Sequence, residues 1–140
     1  MTDKVLLDTD VLMDFLFNRK PFSDYATQIL NLCAENQLDG YTTPVIISNV
    51  YYLLRKTAQH QVVVDKIKQL LQIVEIINID KNSVIHALNS DFRDFEDALQ
   101  NFSAIEYGKI SIILTRNVKD FKHSKLAILT PEIYLKGKNK

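Results

Sequence analysis

Residues 4–10 read KVLLDTD, a short apolar run that stops on two carboxylates. Val5, Leu6 and Leu7 show no polar alternation, which suits a strand buried on both faces. Asp8 and Asp10 follow it at once. Outward from this stretch the chain keeps alternating between apolar runs and helical spacings. Phe22, Tyr25, Ala26, Ile29, Leu30 and Cys33 repeat with helical period over 22–36. LDGYTT (38–43) reads as a short strand or a connection, and Pro44 then sits where a helix can start. That helix carries Ile46, Ile47, Val50, Tyr51, Leu53 and Leu54 on a broad apolar face. Val63, Ile67, Leu70 and Leu71 predict another helix over 62–71, and IVEIINI (73–79) reads as a strand because it is rich in Ile and Val without helical spacing.

A helix is expected over about 81–90. A further one follows DFRD, with Phe95, Ala98, Leu99, Phe102 and Ile105 on its apolar side and Gly108 as its stop. ISIILT (110–115) and LAILT (126–130) read as strands, and PEIYL closes the chain with a last turn of helix. Residues 137–140 read as a loose basic tail after a single domain over 1–136. Strands separated by helices predict an α/β fold with a mostly parallel sheet covered on both faces. Ligands in such folds lie at the carboxyl ends of the strands.

Composition narrows the function. Hydrophobic content of 46% and charged content of 24% are those of a globular domain, and 17 basic residues cancel 17 acidic ones. Neutrality argues against a general polyanion binder, though a local basic strip can still lie beside an acidic site. Cys33 stands alone, so no internal disulfide or thiolate cage can form, which fits a reducing compartment. His60, His86 and His123 lack ligand-like spacing. The acidic start MTDKVLLDTD is unlike a signal peptide, and no apolar stretch approaches the ~20 residues of a membrane span. A cytoplasmic protein is expected.

The strand-end rule directs attention to Asp8 and Asp10 after the first strand, Asp120 after the strand 110–115, and Asp97 in the first turn of the preceding helix. Clustered carboxylates without His or Cys favour a hard cation such as Mg²⁺ or Mn²⁺. Such an ion polarises a phosphoryl oxygen and lowers the pKa of a bound water for attack on a phosphodiester. Each acid also has a plainer reading. Asp8 and Asp10 could close the turn after the strand, and Asp120 could be a loop residue. In DFRDFEDALQ (91–100) Asp94 is a good N-cap with Asp97 three residues on, a capping-box spacing, and Asp91 and Glu96 suit the solvent face of a helix start. The run RNVKDFKHSK (116–125) is either a solvated loop or a strip that holds phosphates.

These stretches resemble the PIN domain family. VLLDTDVLMDFLFNRKPF (5–22) looks like the family's opening block, and TPVIISNVYYLLRK (43–56), DFEDALQ (94–100) and ILTRNVKDF (113–121) are similar to its second, third and fourth. The resemblance implies a three-layer α/β/α sandwich and a Mg²⁺- or Mn²⁺-dependent ribonuclease, often the toxin of a VapC-type toxin–antitoxin pair. It implies Asp8 as the first metal-binding acid and Asp97 as the third, with Asn117 or Asp120 supplying the fourth position and Asp120 the expected metal ligand of the two. Asn49, Asp10, Asp94 and Thr115 would support those ligands or bind weakly, and Arg116 and Lys119 would contact RNA phosphates. It further implies RNA as substrate, a protein antitoxin and pairing into a homodimer, for which the apolar face around Tyr51, Tyr52 and Leu54 is a candidate. Asn49 and Asn117 stand where many members carry acids. A non-catalytic PIN-like module that binds RNA or a protein therefore remains an alternative. A haloacid-dehalogenase-like phosphatase with Asp8 as nucleophile is a weaker one, since the chain lacks that family's later Gly-rich acidic motif.

Overall fold

The computed structural model describes residues 2–138. Its centre is strand β1 (Lys4–Leu7), whose Val5, Leu6 and Leu7 are fully buried, as the unbroken apolar run requires. Beside β1 lie β2 (Asp39–Thr42) on one side and β4 (Ile112–Leu114) on the other, with β3 (Glu75–Ile76) and β5 (Ala127–Leu129) at the edges. The order is β3-β2-β1-β4-β5, and every pairing among these strands is parallel. Register pairs Val5 with Gly40 and with Ile112.

Helices α1 (Thr9–Leu16) and α2 (Phe22–Ala34) connect β1 to β2, and α3 (Pro44–Arg55) and α4 (His60–Leu70) connect β2 to β3. Helices α5 (Lys81–Leu88) and α6 (Phe95–Tyr107) lead to β4, and α7 (Pro131–Lys138) follows β5. Connections out of β1 and β2 step one way along the sheet, whereas that from β3 to β4 steps back across it. Crossovers of one hand therefore put α5 and α6 on the face opposite α1–α4, giving the three layers expected. The direction reverses between β1 and β4. The carboxyl ends of these two strands flank the crevice where such folds take ligands.

Local chemistry explains the boundaries. Thr43 caps α3 by accepting from the Ile46 N–H at 3.1 Å, with Pro44 behind it. Asp80 caps α5 through the Ser83 N–H at 3.0 Å, and Gly108 ends α6 at φ 82°, where a Cβ would be strained. Gly40 lets β2 run as a strand beneath α2. A Cβ there would lie 2.8 Å from Cys33 Sγ and 3.2 Å from Val74 Cγ1. This close approach accounts for LDGYTT, which the sequence leaves open between strand and connection.

Three expectations change. The strand read over 73–79 narrows to Glu75–Ile76, because an edge strand has one neighbour, while Val74 and Ile77 on either side turn into the core. Leu54, a candidate for a dimer face, is 1% exposed and packs into the chain's own core. The tail loses its first two residues to α7, which runs through Gly137 and Lys138, and residues 139–140 lie outside those described. Among the described residues no helix is long and apolar enough to cross a membrane.

Candidate active site

At the carboxyl edge of β1 and β4 an open groove of ≈ 810 Å³ is lined by Asp8, Asp10, Asn49, Asp94, Glu96, Asp97, Asn117 and Asp120. Acids far apart in sequence meet there because two strands end side by side, with α6 beginning beside them. Asp8 leaves β1 as the N-cap of α1, its Oδ1 accepting from the Thr9 N–H at 2.8 Å. Its Oδ2 accepts from the Thr115 hydroxyl at 2.8 Å, just past the end of β4. That hydroxyl is fully buried and in turn accepts from the Asn117 N–H at 3.0 Å. Thr115 is thus spent on orienting Asp8, the supporting one of the two roles expected for it.

Asp10 sits one residue into the helix and receives the Arg116 N–H on Oδ2 at 2.9 Å. Its other oxygen, Oδ1, is buried with no hydrogen-bond partner. A buried carboxylate oxygen left unpaired is costly unless something cationic or donating meets it. Asp94 caps α6 by accepting from the Asp97 N–H at 3.0 Å. The reciprocal half of the capping box is missing from the hydrogen bonds of the described residues, so the Asp97 carboxylate is left to the groove. Asp120 and Asn117 lie on the 3-10 turn Val118–Phe121 and at its start, both exposed to the groove.

The electrostatics follow from this crowding. Burial first, then the charge of Asp10, lifts the Asp8 carboxyl to about 6, against the hydrogen bonds from Thr115 and Thr9. Burial and the charges of Asp8, Asp94, Asp120 and Glu96, in that order, lift Asp97 to about 7. Burial also raises Asp10, against the Arg116 N–H that favours its anion. Among the described residues no three His, Cys, Asp or Glu side chains are already gathered as a closed metal site. Mutual repulsion of this kind keeps acids apart until a cation draws them together. The orphaned Asp10 oxygen and an all-oxygen donor set fit a hard divalent cation in charge and donor type. The residues able to hold it are Asp8, Asp97 and Asp120, with Asp10 beside them.

Glu96 is exposed, as its place at a helix start suggests, and it also lines the open groove, where its Oε2 accepts from the Asn49 amide at 3.0 Å. Asn49, on α3, therefore positions a carboxylate from α6. The sequence offers a clue only in that Glu96 adjoins Asp97, since the α3–α6 approach is tertiary. That approach is fixed by the buried Thr43 hydroxyl, which donates to Gln100 Oε1 at 3.0 Å.

Of the two residues expected on RNA phosphates, Arg116 is committed to another partner. The Arg116 guanidinium grips buried Asp14 through Nε at 2.7 Å and a terminal nitrogen at 3.1 Å, and lies over the Phe22 ring at 4.0 Å. It is a strut between α1 and the β4 loop, not a groove residue, and Asp14 makes a further pair with Arg19 at 2.9 Å. Lys119 faces a neighbouring cleft.

The sequence profile of the PIN domain matches residues 4–119. This chain belongs to the PIN domain family. Ribonuclease VapC1 of Aquifex aeolicus (strain VF5) is 32% identical to this PIN domain over 136 residues, 94% of this chain and 92% of that protein. Among solved structures, VapBC2 from Rickettsia felis bound to a promoter DNA fragment superposes with a TM-score of 0.67 at 19% identity, covering 90% of this chain and 96% of that one. A toxin–antitoxin complex from Klebsiella pneumoniae gives 0.68 at 24% identity, with 91% and 97% covered. VapC20 from Mycobacterium tuberculosis, a sarcin–ricin loop cleaving toxin, gives 0.63 at 15% identity, with 83% and 92% covered. At these identities the structural likeness is one of PIN fold.

Proposed function

We propose that this PIN domain is a divalent-metal-dependent endoribonuclease that acts as the toxin of a toxin–antitoxin pair. The observation that carries the reading is the convergence of Asp8, Asp97 and Asp120 on one groove at the β1–β4 switch point, with an unpaired Asp10 oxygen beside them. The relationship to a ribonuclease over nearly the whole length of both chains supports the RNA substrate. Neighbours solved as toxin–antitoxin complexes support a protein antitoxin as partner.

In this reading Asp8, held by Thr115 and the Thr9 N–H, and Asp97, freed by the Asp94 cap, hold Mg²⁺ or Mn²⁺ together with Asp120. The bound ion would supply charge neutralisation at the phosphodiester and an acidified water. Glu96, pinned by Asn49, adds negative charge next to Asp97, and Asn117 offers a neutral oxygen at the groove rim. Near neutral pH Asp97 exchanges its proton readily, which suits a group that must accept either a cation or a proton.

The test is cleavage of RNA by the purified chain. Mg²⁺ or Mn²⁺ should be required, EDTA should stop the reaction, and Asp97→Asn should lower the rate by about 10²-fold or more, the scale on which losing one transition-state stabiliser acts. Equal cleavage by wild type and Asp97→Asn would reject the assignment. Metal-independent RNA binding without turnover would favour the non-catalytic module.

A further inference from the structure

Beside the carboxylate groove lies a second cleft of ≈ 380 Å³, between the start of α6 and the 3-10 turn. Asp94 and Asp120 line both, so the two adjoin. The other walls of the cleft are Arg93, Lys119, Lys122 and His123. Five cations elsewhere on the chain are matched: Lys4 with Asp39, Arg19 and Arg116 with Asp14, Lys20 with Asp24, Lys136 with Glu132. Arg93, Lys119 and Lys122 have no ion-pair partner among the described residues and are exposed. On a chain whose formal charges cancel, this is a local excess of positive charge at one end of an acidic groove.

Packing holds the backbone beside these cations in place. Phe121, next to Lys122, is 1% exposed, and Phe92, next to Arg93, stacks edge-on against it at 6.0 Å between ring centres. Phe92 also meets the His123 ring at 6.2 Å, and the Ser124 hydroxyl donates to Asn101 of α6. The two walls are therefore braced against each other through aromatic rings.

We propose that this cleft is a phosphate subsite for a single RNA strand, holding the phosphate of a nucleotide that flanks the one cut in the carboxylate groove. The proposal rests on the nuclease reading. A groove of acids repels a polyanion, and a metal at the cut site offsets that repulsion only there. The adjoining phosphates need their own counter-charge. Arg116 is committed to Asp14 and Lys56 lines the groove by itself, so the adjoining cleft is where several unpaired cations cluster next to the acids. An acidic protein segment would meet the same cations without delivering anything to the groove.

Binding of fluorescent oligoribonucleotides to the Asp97→Asn chain, measured as salt is raised from about 50 to 200 mM, tests this. Arg93→Ala and Lys122→Ala should each flatten the slope of log affinity against log salt by about 0.7, the value for one phosphate contact on a single strand. Lys68→Ala, on α4 and outside both clefts, should leave the slope unchanged. With Asp97 intact, the two cleft variants should raise KM with kcat unchanged. Shortening the RNA from one end should abolish their difference from wild type once the strand stops reaching the cleft. Unchanged slope and KM overturn the proposal, as does competition for the cleft by an acidic peptide but not by RNA. Failure of the wild type to cleave RNA with any divalent metal sinks the nuclease reading instead. Metal-dependent cleavage with an unchanged salt slope sinks only the subsite.

Discussion

Asp97 gains a raised carboxyl, about 7 against an ordinary ~3.9, because burial and four neighbouring acids all penalise its anion. A folded-state pKa above the unfolded one stabilises the fold below about pH 4 and loses that contribution as pH rises through 7. Asp97→Asn, which removes the repelled charge but keeps the Asp94 cap on the backbone N–H, should therefore melt above wild type at pH 8 in metal-free buffer. The gain should be about 1 kcal/mol, kept small because the side chain is half-exposed and screened. Differential scanning calorimetry at pH 8 and pH 5 should show the gap closing at the lower pH. A gap that is larger at pH 5 would mean that the four neighbouring acids do not set its titration. Glu96 gives the opposite lesson at this scale. An acid at a helix start reads as solvent-facing until a partner from another helix, Asn49, aims it at a groove.

At the scale of elements, the loop after β4 owes its position to one ion pair. Asp14, on α1, is 1% exposed, and Arg116 reaches it with two nitrogens while giving its backbone N–H to Asp10. Arg116→Ala leaves a buried carboxylate with Arg19 alone, and should cost about 2 kcal/mol, below the 3–5 kcal/mol of a pair left wholly unmatched. Urea denaturation reads that loss directly. RNA binding by the folded fraction should keep its salt slope, which a phosphate-contacting arginine could not do. The sequence made Arg116 a phosphate contact because it lies in a basic run, and the pairing with Asp14 is invisible at that level. Most element boundaries, by contrast, were legible. Pro44, Asp94 and Gly108 mark helix ends by local backbone chemistry that needs no tertiary partner.

For the molecule as a whole, the parallel order β3-β2-β1-β4-β5 brings residues from opposite ends of the chain to one edge. Asp8 and Asp97 are raised to about 6 and about 7, so a divalent cation bound by them would displace protons near neutrality. Mn²⁺ should accordingly raise the melting temperature more at pH 8 than at pH 6. At a concentration 100 times its dissociation constant the stabilisation should approach about 2.7 kcal/mol. Asp8→Asn should blunt the effect in a thermal-shift titration. Equal shifts at both pH values, or an undiminished shift in Asp8→Asn, would place the cation elsewhere.

The sequence by itself determined the α/β alternation, the helix caps, the buried central strands and the candidacy of Asp8, Asp97 and Asp120. These depend on hydrophobic period and local backbone bonding, which neighbours in sequence suffice to set. Only the tertiary structure decided that β3 shrinks to an edge fragment, that Leu54 is core, and that Arg116 braces Asp14. It alone turned Thr115 and Glu96 toward their partners and gathered the unpaired cations beside the acids. Each of these depends on which strands and helices become neighbours, and one residue's surroundings are then supplied by chain a hundred residues away.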